Sequence, residues 1–267
     1  MKTTTAVAAL AFTLHSGDGV AEVGAQRGPF SGEEMSLISP ALETYIVSQL
    51  REKKWKEADL SPRDRSIVTL AALIARQHTL LLPEQVELAL RNGVTPIEIS
   101  EIIAHLAFYA GLGNALAASA VIKPVFKAQG ITATELTSRY LRPLPIDHHA
   151  EAARAARVAA NLGEVMPGLV RDTTDVLFQD LWLRPDLLPR DRSLVTVVAL
   201  VANNQDKQIP PHLNRAMDNG LTAEQASAVL SHLAYYVGWP NAFSAASVFK
   251  SVFEQRQTEP LSSKEEK

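Results

Sequence analysis

The chain of 267 residues contains no cysteine. That excludes disulfides, thiolate nucleophiles, cysteine-ligated zinc and every dithiol redox mechanism, whatever compartment the protein occupies. It also lacks a strong charge of either sign: 26 Lys and Arg stand against 29 Asp and Glu, a formal net charge of -3. No basic field exists to attract nucleic acid, which is not expected as a partner. No apolar run approaches the roughly 20 residues of a membrane helix, so no membrane partner is expected either. A glycine-rich phosphate loop, a Gly-x-Ser-x-Gly elbow and a His-Glu-x-x-His pair are all missing, which removes support for nucleotide, serine-hydrolase and zincin chemistry. Adjacent His148 and His149 diverge on a helix with no third ligand spaced to join them; no metal site is expected, and nothing calls for a cofactor.

The first 34 residues carry two readings. Lys2 precedes an apolar run from Ala6 to Leu14, and Gly19-Val20-Ala21 or Val23-Gly24-Ala25 offers small residues for cleavage, as in a leader for export to the periplasm. Asp18, Glu22 and the glycines at 17, 19, 24, 28 and 32 fit a flexible tail of a cytoplasmic protein equally well. Both stay open.

What the sequence does contain is a duplication. Leu60 to Lys127 laid over Leu187 to Glu254, an offset of 127 without a gap, gives 29 identities in 68 positions, and Trp55 with Trp182 extends the register upstream. Every block of the repeat reads as helix. The stretch Arg63 to Arg76, with its twin Arg190 to Asn203, is apolar after a charged first turn, as a helix buried on nearly all sides would be. A second helix ends at Asn92-Gly93 or Asn219-Gly220, where glycine is the natural left-handed stop. Thr95 with Glu98, and Thr222 with Gln225, fit the capping box that opens a third. Asn114 and Asn241 stand where the N-cap of a fourth belongs, and the Ala-rich stretches after them permit close helix packing.

No strand pattern intervenes, so the expected fold is all-α: two tandem helical domains packed through matching faces as an intramolecular pseudo-dimer. Arg142-Pro143-Leu144-Pro145 reads as the linker, and Asp147 to Leu162 as the first helix of the second unit. The expected divisions are a tail over 1–34, a first domain over 35–142, a second over 143–256 and a C-terminal tail over 257–267.

Among polar residues the most informative stripe is Glu101, His105 and Tyr109, spaced i, i+4, i+8 on one helix face; the second unit has Ala228, His232 and Tyr236. A carboxylate one turn from a histidine raises its proton affinity and would let it act as general acid or base. A core histidine bonded to tyrosine or backbone is the plainer reading, favoured on spacing alone. Arg63-Asp64-Arg65 and Arg190-Asp191-Arg192 place cations at helix N-termini, which the helix dipole disfavours, so an anion must compensate. It is either a substrate carboxylate or, by preference, the acids of the neighbouring unit. His212, after Pro210-Pro211, has Gln85 as its equivalent and makes the two halves unequal.

The segments WLRPDLLPRDRSLVTVVALVA, PHLNRAMDNGLT and SHLAYYVGWPNAFSA together resemble the carboxymuconolactone decarboxylase family, and the first unit resembles it nearly as well. The resemblance implies a helical domain that oligomerises, so a homo-oligomer, a trimer of tandem chains or a dimer, is expected. The related alkylhydroperoxidase D branch is a peroxidase that uses Cys-x-x-Cys ahead of a histidine, whose place His212 takes; without cysteine that activity is not expected. The acid that branch needs near the start of the long helix is also missing, with Ser66 and Ser193 in its place.

What the resemblance then implies is a cofactor-independent decarboxylase, or a related lyase or isomerase, acting on a small carboxylated lactone. His212 would move the proton, His232, His105 and Glu101 would assist, and Arg190 and Arg192 would hold the substrate's carboxylates. Tyr236 and Trp239 would form an apolar wall, with Arg63, Arg65 and Tyr109 as the first unit's counterparts. The first unit departs from the family pattern at Gln85, Arg91 and Leu112 yet keeps Glu98 and Glu101, where the second has Gln225 and Ala228. One composite site across the units would explain these complementary losses, and so would decay after duplication. The rival function is a non-catalytic binding or scaffold protein that keeps the fold for its oligomer.

Overall fold

The computed structural model describes residues 32–138, 140 and 142–258. The leader-or-tail reading of the N-terminus lies almost wholly outside them. Among the described residues there is no strand.

The first unit is built on four helices, α3 (Pro62–Ala75), α4 (Leu82–Arg91), α5 (Pro96–Tyr109) and α6 (Leu112–Ala128). They follow α1 (Gly32–Ile38), α2 (Pro40–Thr44) and a π-helical turn, Tyr45–Arg51. In the second unit α7 (His148–Leu162), α8 (Pro167–Asp172) and the matching π-helical turn Thr173–Phe178 precede α9 (Pro189–Ala202), α10 (Ile209–Asp218), α11 (Ala223–Val237) and α12 (Trp239–Thr258). The duplication reaches the backbone details. Glu52 N–H bonds Val47 O and Gln179 N–H bonds Thr174 O, both five residues back and 127 apart, and the left-handed residues Gln77 and Asn204 keep the same offset.

Local chemistry fixes the ends. Ser61 accepts from Asp64 N–H at the start of α3, with Pro62 in the first turn, where its missing donor costs nothing. Both expected capping boxes form, Thr95 with Glu98 on α5 and Thr222 with Gln225 on α11. Gly93 and Gly220 adopt φ of 88° and 101° after α4 and α10. Asn114 and Asn241 correct the expectation of N-caps. Each lies inside its helix, and its side chain donates to the last turn of the buried helix, Asn114 Nδ2 to Ala75 O at 2.8 Å and Asn241 Nδ2 to Ala202 O at 3.5 Å. Free carbonyls at a buried helix C-terminus need partners, and these amides supply them.

α3 and α9 are buried from Asp64 to Ala75 and from Asp191 to Ala202, and they pack on each other, with α11 against α3 and α5 against α9. Apolar side chains of both units thus form one continuous core. Each of Ile67, Leu70, Leu73 and Ile74, exposed by 1% or less, contributes about 2 kcal/mol of transfer free energy. The pseudo-dimer is therefore held by its central helices rather than by a rim.

Crossed ion pairs mark where the units meet. Arg63 Nη1 donates to Asp191 Oδ2 at 2.8 Å, and Arg190 reaches both oxygens of Asp64 at 2.6 and 2.9 Å. The first arginine of each Arg-Asp-Arg thus finds an anion in the other unit, with Glu98 completing Arg63.

Candidate functional site

Each unit's histidine is completed by the other unit. His232 on α11 meets Arg65 Nη1 through Nδ1 at 3.3 Å and Thr69 Oγ1 through Nε2 at 2.8 Å, both on α3. Trp55 stands edge-on to its ring at 5.2 Å and donates Nε1–H to the Tyr236 hydroxyl at 2.9 Å. Its twin His105 on α5 meets Arg192 Nη1 at 3.5 Å and Thr196 Oγ1 at 2.7 Å on α9, with Trp182 edge-on at 5.3 Å and donating to Tyr109 at 2.9 Å. A guanidinium only donates, so each Nδ1 is an acceptor and each Nε2 carries the proton. Both imidazoles are fully buried and neutral. Burial, and then the charges of Arg192 and His212, hold His105 well below the ordinary range; burial, then Arg65 and Lys54, bring His232 down to about 3.

Arg65 and Arg192 are the largest fully buried side chains. Arg192 donates to Glu101 Oε2 at 3.0 Å and to Arg184 O at 2.9 Å; Arg65 donates to Asp59 and to Glu57 O. Burial alone would raise the Glu101 carboxyl, but hydrogen bonds from Arg184 and Arg192 overcome that and hold it below the usual range. Arg184 grips both Glu101 oxygens at 2.6 to 3.1 Å. The equivalent of Arg184 is Glu57, and the equivalent of Glu101 is Ala228. At the equivalent place neither that acid nor that arginine is present, and Lys54 takes Glu57 and Ser231 instead. The Glu101/Ala228 difference thus goes with the Arg184/Glu57 difference.

Ser66 and Ser193 each accept from the asparagine that ends the next helix, Asn92 at 2.9 Å and Asn219 at 2.8 Å.

A cavity of about 660 Å³ lies in the first unit, with Tyr235 and Tyr236 of α11 as the second unit's share. Leu42, Ile46, Leu50 and Leu73 give it apolar walls, and Trp55 and Tyr236 screen it from His232. Arg51 and Arg91 line it with largely exposed side chains. Gln85 contributes a buried Oε1 that has no partner. Burial pushes the Tyr236 hydroxyl up to about 12, so it keeps its proton. His78 also lines this cavity, and burial followed by the Arg76 charge lowers its proton affinity.

The matching place in the second unit is filled. Phe178, where the first unit has Arg51, stacks on Trp182 at 6.0 Å, and Trp182 on His212 at 6.2 Å. Arg215, where the first has Leu88, lies over both Phe178 and Trp182. His212 is not among the residues that line the 660 Å³ cavity. Burial, then the neighbouring Arg215, brings it down to about 4.

A family assignment rests on this arrangement of paired four-helix units, and sequence comparison decides it: the carboxymuconolactone decarboxylase family model matches residues 43–124 and 167–251, more than half of the chain. The chain belongs to the carboxymuconolactone decarboxylase family. A 4-carboxymuconolactone decarboxylase of Acinetobacter baylyi (strain ATCC 33305 / BD413 / ADP1) is 31% identical over 75 residues, 28% of this chain and 56% of that protein. The chain thus spans little more than half the length of that relative.

Within this family member the residues singled out from sequence fall into separate places. His105, Glu101, Arg192 and Tyr109 form one buried network and His232, Arg65 and Tyr236 the other, while Arg63 and Arg190 join the crossed ion pairs. Tyr236 alone of them lines the large cavity. Trp239 is half exposed and lines a smaller cleft with Tyr235 and Phe243, so it forms no wall with Tyr236. Sequence reading missed Trp55 as a wall residue and missed Arg51, His78 and Arg215. The offset to Trp182 pointed to Trp55, but nothing in the sequence told an arginine of the cavity from one of the surface. Among the described residues no group of side chains is placed to hold a metal, and no helix is long and apolar enough to cross a membrane.

Proposed function

We propose that this chain takes a small carboxylated lactone into the Trp55–Tyr236 cavity and decarboxylates it without a cofactor. The observation that carries the reading is the cavity itself: a mostly apolar chamber of about 660 Å³ with two exposed guanidiniums, Arg51 and Arg91, among its lining residues. A chamber of this size suits a small ligand. The arginines would hold a carboxylate by paired hydrogen bonds, giving up their long contacts with Glu84 at 3.5 Å and Glu87 at 3.9 Å. A second carboxylate, pressed against Leu42, Ile46 and Leu50, would lose its water while the charge-dispersed transition state for losing carbon dioxide would suffer less. As the carbon–carbon bond breaks, its electron pair passes into the ring's conjugated carbonyl system and a proton must reach carbon. Tyr236, protonated at neutral pH, is the acid on the wall.

A second reading is favoured by the buried His105 and His232 and the half-buried His212, none of which lines the cavity: binding without chemistry. One experiment separates the two. The full chain is titrated calorimetrically with carboxymuconolactone and other small lactone acids while carbon dioxide release is followed. The proposal expects binding, weakened at least tenfold in Arg51→Ala, and release slowed about 100-fold in Tyr236→Phe with binding kept. Binding with no release supports the second reading. No binding across the panel overturns both.

A further inference from the structure

The first unit's cavity carries a polar atom that nothing on its walls satisfies. Gln85 of α4 lines it, and its Oε1 is buried without a hydrogen-bond partner among the described residues. An amide oxygen only accepts, and the donors near it are committed elsewhere. Trp55 Nε1–H goes to the Tyr236 hydroxyl at 2.9 Å, Arg51 reaches Glu84 at 3.5 Å and Arg91 stands 3.9 Å from Glu87. Lys56 and His78 also line the cavity, and both sit at exposed positions. Buried polar atoms are normally paired. A ligand that pushes water off this oxygen must bring a donor of its own or forfeit the bond. The second unit has His212 in this place; a histidine can give and take a proton, whereas a carboxamide does not titrate, so Gln85 can orient a ligand without moving its proton. Arg51 and Arg91 on the same walls repel an ammonium, and on a lactone acid the neutral donor is a hydroxyl.

We propose that Gln85 is the specificity-determining residue of this cavity and selects small carboxylates that carry a hydroxyl over those that lack one. The inference rests on the Trp55–Tyr236 cavity being the ligand site, and goes beyond it by naming a group the ligand must bear. The arginines hold the carboxylate, and the hydroxyl donates to Gln85 Oε1. A site that pairs a ligand's hydroxyl with a buried acceptor rejects the analogue without it, because the acceptor is then stranded.

The probes are benzoate, 3-hydroxybenzoate and 4-hydroxybenzoate, flat acids that differ only in the hydroxyl, titrated calorimetrically into the full chain. At least one hydroxybenzoate is expected to bind about tenfold more tightly than benzoate, or better. Gln85→Leu should cut that preference to about threefold or less, by weakening the hydroxybenzoate while benzoate binds as before or more tightly. Gln85→Met, with an unbranched side chain, should repeat the result independently of how the leucine packs. In urea denaturation without ligand neither variant should lower the midpoint, since the oxygen removed has no protein partner to lose. A lowered midpoint with the preference intact marks a structural glutamine and overturns the proposal, and so does a preference that survives in both variants. Equal affinities for the three acids, all weakened by Arg51→Ala, overturn it while leaving the cavity reading in place. If none of the three binds, the proposal falls, and the titration with lactone acids decides the cavity reading separately.

Discussion

Replacing Glu101 by Ala separates a structural carboxylate from a catalytic one. Glu101 is 4% exposed and serves two arginines of unequal standing. Arg184 is 44% exposed on its side chain, so its pair with Glu101 is partly screened by water, whereas Arg192 has no exposed side-chain surface. Removing the acid leaves a buried guanidinium with only Arg184 O and His105 Nδ1 as acceptors. Breaking a buried pair from one side costs about 3–5 kcal/mol. Most of that loss should come from Arg192, because exposed pairs are worth about 1 kcal/mol or less. The equivalent network around Arg65 does without the acid: with Ala228 and Glu57 in these places, Arg65 relies on Asp59. Adding Arg184→Glu to Glu101→Ala removes the second cation beside Arg192 and leaves Asp186, in the place of Asp59, as its acid. The double variant should regain about 1 kcal/mol or more over the sum of the single losses. Urea denaturation followed by circular dichroism measures all three. An unchanged midpoint in Glu101→Ala, together with lost ligand turnover, would refute the structural assignment.

Acid should destabilise the fold before its carboxylates titrate. His105, His232 and His212 are held neutral, the last two at about 3 and about 4, while the unfolded chain binds protons below about 6.5. Their contribution is therefore complete above pH 6.5 and shrinks as pH falls toward 4, at about 1 kcal/mol per pH unit for each histidine; denaturation midpoints measured between pH 8 and 4.5 would show a flat line if the imidazoles were accessible. Thr69→Val and Thr196→Val each take away the oxygen that accepts a buried Nε2–H and should cost about 1–3 kcal/mol, with similar midpoint shifts in both halves. Gly220→Ala meets no atom within 4 Å but must hold φ near 101°, so thermal denaturation should show a loss of about 1 kcal/mol that Gly93→Ala repeats.

The sequence by itself determined the helices, the two capping boxes and the glycine stops, the duplication and the family, because each is written in local spacing: Thr95 needs only Glu98 three residues on, and Gly93 only its own φ. It also determined that the Arg-Asp-Arg cations needed anions. Only the tertiary structure decided which ones. The crossing of α3 over α9 brings Arg63 to Asp191 and Arg190 to Asp64, 128 and 126 residues apart. The i, i+4, i+8 stripe of Glu101, His105 and Tyr109 was legible as one face, but whether that face meets water or another helix depends on its partner. α9 supplies Arg192 and Thr196, which turn a candidate acid–base pair into a closed network. The unequal halves show the same limit. Gln85 against His212 is visible in the alignment, yet the cavity lies on the glutamine's side, where Arg51 and Leu88 line it, while Phe178 and Arg215 stack with Trp182 in the second unit. Volume at a site is set by side chains from four separate segments, and no one of them records what the others leave empty.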